Sequence, residues 1–138
     1  MKLGIAEILS NANDISDPKK RREYVIINDS VALRTILKYC YDPKIKFLLP
    51  KGKAPYKPSD FDNSQGMLYS EFRKLYLFVE GGNTNLTTVK REMLFINLLE
   101  SLHPKDAELL EYVKDKVLPY KTITKNFVEK VYPGLINE

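Results

Sequence analysis

The chain has 138 residues, of which 43% are hydrophobic and 29% charged, and its net charge is +4. This composition excludes wholesale disorder, and the length favours a single helical domain over residues 1–138. One cysteine excludes an internal disulfide. The first residues lack the apolar core and the small-residue cleavage site that a signal peptide is expected to have. No apolar run approaches the roughly 20 residues needed to cross a bilayer. We therefore expect a cytoplasmic protein that does not enter a membrane.

Positive charge is concentrated in the first part of the chain. Residues 1–58 carry 12 Lys and Arg against 6 Asp and Glu, whereas residues 59–138 carry 10 against 12. We call residues 1–58 the basic N-terminal part. This bias suggests an acidic partner, although a solvated charged surface is the more common reason for such a bias.

The first two predicted elements are helices. Apolar residues at helical spacing predict a first helix over about residues 2–11. Its buried face consists of Ile5, Ile8, Leu9 and Ala12. Asp17-Pro18 predicts a second helix that extends to about residue 27, because the carboxylate accepts an amide hydrogen bond and proline suits the first helical position. Three of its side chains are expected to point inward: Tyr24, Val25 and Ile27.

Ser30 is the predicted cap of a third helix that ends near residue 41. Its apolar stripe consists of Leu33, Ile36, Leu37 and Cys40. Four prolines within residues 42–66 exclude a regular helix there. We expect this stretch to be an ordered Pro-rich loop with a short extended segment at residues 46–49.

Residues 67–138 predict a helical C-terminal part. A fourth helix over residues 67–79, expected to be central, ends at Gly81-Gly82, where a left-handed residue is favoured. A fifth helix covers about residues 86–102. Its predicted inward stripe is Val89, Met93, Ile96 and Leu99, widened by Phe95 and Leu102. Its predicted outward residues are Lys90, Arg91, Asn97 and Glu100.

His103-Pro104 predicts the boundary between the fifth helix and a sixth. The predicted core face of the sixth helix is Leu109, Leu110, Val113 and Val117. Its acidic first turns (Asp106, Glu108) and basic last turns (Lys114, Lys116) suit the helix dipole. A short final helix begins at Thr124 and ends near residue 131. These elements predict an all-α fold, a compact bundle of about six to seven short helices with the Pro-rich loop near its middle.

The sequence contains no recognisable metal or cofactor motif, and we expect neither. One histidine and one cysteine exclude a His/Cys zinc site within one chain, so His103 is interpreted as a helix boundary and Cys40 as a buried apolar residue. The spacing of Asp60, Asp62 and Glu71 resembles that of a calcium loop, but glutamine stands where that loop requires glycine. Whether these three carboxylates bind a cation stays open at this point.

No catalytic arrangement is recognisable either, and we predict that the protein is not an enzyme. The carboxylates of Glu108, Glu111 and Asp115 follow helical spacing, and they are interpreted as a solvated face. An enzyme would require distant ionisable groups to converge in a deep pocket. The candidates for such convergence are Glu71, Glu92, His103 and Asp106.

The basic N-terminal part supplies candidate nucleic-acid contacts. Cations neutralise phosphates, and tyrosines interleaved with them can stack on unpaired bases. The eight candidates are Lys19, Lys20, Arg21, Arg22, Arg34, Lys38, Lys51 and Lys53. No known nucleic-acid-binding motif accompanies them. The decisive question is whether they gather in one patch.

Several strings of the second half carry a family resemblance. They are KREMLFINLLESLHPKDAELL at residues 90–110, VKDK at 113–116, LPYK at 118–121 and PGL at 133–135. With them, residues 65–136 resemble a family of short uncharacterised proteins encoded by large contractile-tailed bacteriophages, including marine and cyanobacterial phages. The resemblance implies a viral source and expression in the host bacterial cytoplasm, and it implies no activity.

Two functions fit these observations. The first is a non-enzymatic, phage-encoded accessory or adaptor protein that binds a host or viral protein through a helical face. An exposed apolar patch would support it. The alternative is a nucleic-acid-binding accessory factor that uses the basic N-terminal part. The sequence does not indicate the partner or the oligomeric state.

Overall fold

The structure is a computed structural model that describes residues 3–58 and 67–136. Over these residues the fold is all-α, as predicted, and contains seven α-helices and one 3-10 helix. In chain order they are α1 (Ile5–Asn13), α2 (Pro18–Ile27), α3 (Val31–Tyr41), α4 (Leu68–Glu71), the 3-10 helix (Phe72–Phe78), α5 (Thr88–Ser101), α6 (Pro104–Lys114) and α7 (Lys125–Val131).

The predicted starts of α2 and α3 are confirmed. The Asp17 side chain accepts a hydrogen bond from the Lys19 amide at 3.2 Å, and the Ser30 hydroxyl accepts one from the Leu33 amide at 3.0 Å. The predicted apolar faces of α1 and α3 are also confirmed. Their buried members are Ile5, Ile8, Leu9, Ala12, Leu33, Ile36, Leu37 and Cys40.

The predicted inward face of α2 is partly wrong. Val25 is buried, but Ile27 is 81% exposed and Arg21 takes an inward position. Helix α2 packs against α1 and α7, and the Arg21 guanidinium lies 5.7 Å above the ring of Phe127 in α7. Its Nε donates to the Ile15 carbonyl at 3.0 Å. A charged side chain is accommodated here because a ring and a main-chain acceptor receive it.

The Pro-rich loop contains no helix over residues 42–58, as predicted. Its extended segment forms a single antiparallel bridge between Phe47 and Val79. Two main-chain hydrogen bonds flank the bridge: Leu48 donates to Phe78, and Glu80 donates to Lys46, both at 2.8 Å. Asp60 and Asp62 of the candidate calcium loop lie outside the described residues.

The predicted fourth helix is wrong in its second half. Helix α4 ends at Glu71, and the chain continues as the 3-10 helix to Phe78. Leu75 and Phe78 are buried, and a three-residue spacing places them on one face because a 3-10 helix has three residues per turn. Gly81 adopts the predicted left-handed conformation, with φ of +84°.

The predicted boundary at His103 is confirmed, because its Nδ1 accepts a hydrogen bond from the Lys105 amide at 3.1 Å. Helix α6 contacts α1, α3 and α5, so it holds the central position expected of the fourth helix. The expected burial of Val117 is wrong, since this side chain is 50% exposed. The helix ends at Lys114, and Lys116 is left-handed with φ of +63°, which turns the chain away.

Over residues 3–58 and 67–136, none of the helices combines the length and apolar character required to span a membrane.

Candidate protein-binding groove

Helix α5 turns a different face to the core from the one its sequence predicts. Val89 and Met93, predicted to be buried, are 66% and 59% exposed. Arg91, predicted to be outside, is 7% exposed. The buried apolar residues of α5 are Phe95, Leu98 and Leu99. The helix is therefore rotated so that part of an apolar stripe faces solvent.

Contacts of Arg91 and Phe95 fix this rotation. The Arg91 Nε donates to the Leu77 carbonyl at 3.3 Å, and its Nη2 donates to the Leu86 carbonyl at 3.2 Å. Phe95 packs edge-on against Phe78, with ring centroids 5.2 Å apart and an interplanar angle of 74°. Both residues thus attach α5 to the 3-10 helix and to the segment before α5, so its opposite face stays outside.

The outward stripe, which consists of exposed Val89 and Met93 and half-buried Ile96, forms one wall of a groove of about 310 Å³. Val89, Met93 and Ile96 contribute the α5 wall, and loop residues 49–55 contribute the other. Lys114 of α6 also lines it. We call this concavity the α5–loop groove. Its size lies at the lower end of the range of about 300–1,000 Å³ that is typical of binding sites.

Carboxylates hold the loop wall through its main chain. The Gly52 amide donates to Asp115 Oδ2 at 3.0 Å, and the Ala54 amide donates to Glu111 Oε1 at 2.7 Å. A third bond joins the Lys57 amide to Glu100 Oε2 at 2.9 Å. The interpretation of Glu111 and Asp115 as a merely solvated face is therefore wrong, because both anchor the loop.

A buried lysine of α6 also holds this loop, by donating hydrogen bonds to its main-chain carbonyls. Lys114 is 4% exposed, and its ammonium donates to the Pro50 carbonyl, the Gly52 carbonyl and Asp115 Oδ1, each at 2.8 Å. These three bonds use all three donors of the ammonium group. The groove wall is consequently preformed, and the Lys114 charge is compensated within the fold.

Lys116 anchors the beginning of the Pro-rich loop in the same way. Its ammonium donates to the carbonyls of Tyr39, Asp42 and Ile45 at 2.6–2.8 Å, and burial lowers its pKa. Neighbouring Cys40 is 1% exposed, and burial raises the pKa of its thiol to about 12. Cys40 is thus the buried apolar residue that the sequence predicts.

The exposed charges among the residues that line the groove are positive. Lys51 and Lys53 are exposed on the loop wall, and Glu92 is half-buried on the α5 wall. Lys114 is paired with Asp115, so Lys51 and Lys53 are the cations available to a ligand on this side of the groove. Lys53 also borders a neighbouring concavity that Glu108, Glu111 and Asp115 line.

The eight candidate nucleic-acid contacts lie on three elements. Helix α2 carries exposed Lys19 and Lys20, half-buried Arg22 and buried Arg21. Helix α3 carries Arg34 and Lys38, and the loop carries exposed Lys51 and Lys53. The two α3 cations pair with carboxylates, Arg34 with Asp29 at 3.1 Å and Lys38 with Asp42 at 3.4 Å. Arg21 is engaged inside the fold and is no longer a candidate contact.

The four candidate catalytic groups do not converge. His103 and Asp106 line a separate cavity of about 500 Å³ between α1 and α6. Glu92 lines the α5–loop groove, and Glu71 pairs with Lys74 at 2.6 Å. In the part of the chain that the structure describes, no three His, Cys, Asp or Glu side chains form a group that could hold a metal ion.

Asp106 has a structural partner in that cavity. Its carboxylate is 2% exposed and accepts a hydrogen bond from the Ala6 amide at 2.9 Å, in the first turn of α1. Burial raises the pKa of Asp106, while the Ala6 amide opposes this shift. Since Gly4 offers α1 no side-chain cap, Asp106 supplies one from a distant helix.

Sequence reasoning missed the groove because α5 contains two overlapping apolar stripes. Residues 89, 93 and 96 form one, and residues 95, 98, 99 and 102 form the other. The sequence did contain a signal for the correct rotation of α5. The second stripe has more residues than the first, and it can fill the core by itself. The position of Arg91 on the buried face carried no such signal.

The chain belongs to a family of unknown function, DUF6433, whose family model matches residues 8–120. The match includes the basic N-terminal part beyond its first seven residues, both walls of the α5–loop groove and the lysines that hold the loop. None of the curated proteins compared with the chain matches it.

Proposed function

We propose that this protein is a non-enzymatic adaptor that binds another protein through the α5–loop groove. The observation that carries the proposal is the exposure of Val89 and Met93 against a preformed loop wall. Methionine suits such a surface, because its unbranched side chain adapts to the shape of a partner.

Energetics support binding at this place. Covering the exposed fractions of Val89 and Met93 contributes about 1–2 kcal/mol each. The wall formed by residues 49–55 needs little further ordering, because carboxylates and Lys114 already hold it. A rigid wall lowers the entropic cost of association.

The use of the charged groups also supports a binding role. Asp106, Glu111 and Asp115 accept main-chain amide hydrogen bonds, and Lys114 and Lys116 donate to main-chain carbonyls. These ionisable groups thus serve the architecture of the protein. The resemblance of residues 65–136 to phage-encoded proteins supports a partner of host or phage origin in the bacterial cytoplasm.

Affinity purification from the bacterial host, with three purified baits, tests the proposal. The baits are the wild type, Met93→Asp in the groove and Ile27→Asp at an 81% exposed apolar position on α2. We expect a specific partner with the wild type and Ile27→Asp, and at least a tenfold loss with Met93→Asp. Circular dichroism first verifies that all three baits are folded.

The opposite pattern would contradict the proposal. A partner that binds Met93→Asp normally but not Ile27→Asp would place the interface at the α2–α3 turn. The alternative function, nucleic-acid binding by the basic N-terminal part, has its own readout. Salt-sensitive mobility shifts of DNA at about 50 mM salt, abolished by Lys19→Glu/Lys20→Glu, would favour that function over the adaptor role.

A further inference from the structure

The α5–loop groove combines an apolar wall with a cationic rim, and this combination restricts its occupant. Val89, Met93 and Ile96 lie at positions i, i+4 and i+7 of α5 and span about 10 Å along the helix axis. A length of about 10 Å matches about three residues of an extended chain. The apolar wall therefore suits a short segment better than a broad protein face.

The charges at the rim favour an acidic occupant. Lys51 and Lys53 project from the loop as exposed cations, whereas Lys114 is already paired with Asp115 at 2.8 Å. Glu92 is the carboxylate among the groove-lining residues, and it lies on the opposite wall. A segment with carboxylates on its loop side and apolar side chains against α5 is complementary to both walls.

We propose that the α5–loop groove recognises a short peptide segment of the partner in which two or more large apolar residues are flanked by Asp or Glu. The apolar side chains contact Val89, Met93 and Ile96, and the acidic flank pairs with Lys51 and Lys53. This inference rests on the proposed function, and it adds the chemical class of the partner.

Selection from a displayed library of random ten-residue peptides tests it. The wild-type chain is the target, and Met93→Asp is the counter-target that removes binders of other surfaces. We expect enriched peptides to carry large apolar residues and net negative charge. The affinity of a representative synthetic peptide should fall about tenfold in Lys51→Glu/Lys53→Glu, whereas the matched α2 variant Lys19→Glu/Lys20→Glu should bind normally.

A charge swap sharpens this test. A peptide whose acidic residues are replaced by Lys should bind Lys51→Glu/Lys53→Glu better than it binds the wild type. Enriched peptides with neutral or basic flanks that are insensitive to the lysine reversal would overturn the inference and leave the groove as a binding surface.

Two further outcomes would also overturn the inference. In the first, every selected peptide binds Met93→Asp as well as it binds the wild type. The adaptor proposal would still stand in that case if the Met93→Asp bait loses the host partner. In the second, single-stranded DNA binds the wild type, loses affinity in Lys51→Glu/Lys53→Glu and ignores Met93→Asp. That result would assign the loop lysines to phosphate contacts.

Discussion

Helices α3 and α5 both carry apolar residues at helical spacing, but they differ in how those residues relate to the core. Each begins after a hydroxyl residue that caps its first turn, Ser30 for α3 and Thr87 for α5. In α3, Leu33 is completely buried, as its pattern predicts. In α5, by contrast, Val89 and Met93 are mostly exposed.

The difference teaches that periodicity fixes the existence of a helix more firmly than its rotation. Helix α3 has one apolar stripe and can bury only that one. Helix α5 has two, and Arg91 together with Phe95 decides between them through contacts with the 3-10 helix and the residues before α5. The stripe that the core does not use becomes available to a partner.

The largest expected effect is a difference in the free energy of unfolding between truncations in α3 and in α5. Leu33→Ala in α3 should lower the free energy of unfolding by about 2–5 kcal/mol, because it leaves a cavity in the core. Val89→Ala in α5 should change it by less than about 0.5 kcal/mol. Urea denaturation measures both. Equal losses would show that Val89 belongs to the core after all.

The next effect concerns the contact that sets the rotation of α5. Arg91→Met should lower the free energy of unfolding by about 1–3 kcal/mol, because the Leu77 and Leu86 carbonyls lose their donor. The neighbouring exposed residue gives the matched control, Lys90→Met, which should be nearly neutral. If denaturation shows the two variants to be equally stable, Arg91 does not hold the helix in place.

The third prediction concerns Tyr41 of α3, whose titration should change the free energy of unfolding by about 1 kcal/mol at alkaline pH. Burial, and secondarily Cys40, raises the pKa of Tyr41, whose hydroxyl donates to the Ile123 carbonyl. The unfolded phenol loses its proton near pH 10 while the folded one keeps it. The free energy of unfolding should therefore fall above pH 10, by up to about 1.4 kcal/mol per pH unit for this group.

Alkaline denaturation series check the sign and the residue. Tyr41→Phe should make the decline above pH 10 shallower, although other tyrosines with raised pKa values retain part of it. Val89→Ala in α5 should leave the slope unchanged. An unchanged slope in Tyr41→Phe would mean that this phenol titrates alike in both states.

The last prediction compares the accessibility of two thiols, Cys40 in α3 and an introduced cysteine in α5, and it involves the smallest change in stability. Cys40 of α3 should react with a thiol reagent only when the protein unfolds, since it is buried and burial raises its pKa to about 12. Met93→Cys in α5 should add a thiol that reacts at once, with less than about 0.5 kcal/mol lost. A slow second thiol would show that the groove wall is covered.

Helix starts could be predicted because their determinants are local. Asp17 and Ser30 accept amide hydrogen bonds from residues two or three positions later, and proline follows His103 directly. The buried charges could not be predicted in this way. Asp106 bonds the amide of Ala6, which is 100 positions away, and such a pairing exists only once the fold has formed.

The candidate groove was predictable only in fragments. The sequence marks Lys51 and Lys53 by their charge and places them among the candidate nucleic-acid contacts, whereas it places Met93 in the core. Their juxtaposition depends on Lys114, whose bonds to the Pro50 and Gly52 carbonyls bring the loop beside α5. A helical pattern describes one element at a time, so it could not show a wall built by another.

The loop wall of the groove is held through its main chain, so its position does not depend on the side chains of Lys51 and Lys53. Asp115 and Glu111 recognise the amides of Gly52 and Ala54, groups that every residue except proline possesses. The side chains of Lys51 and Lys53 take no part in these attachments. Replacing them can therefore redirect the loop to a differently charged ligand without detaching it, which makes this segment a natural place to engineer new specificity.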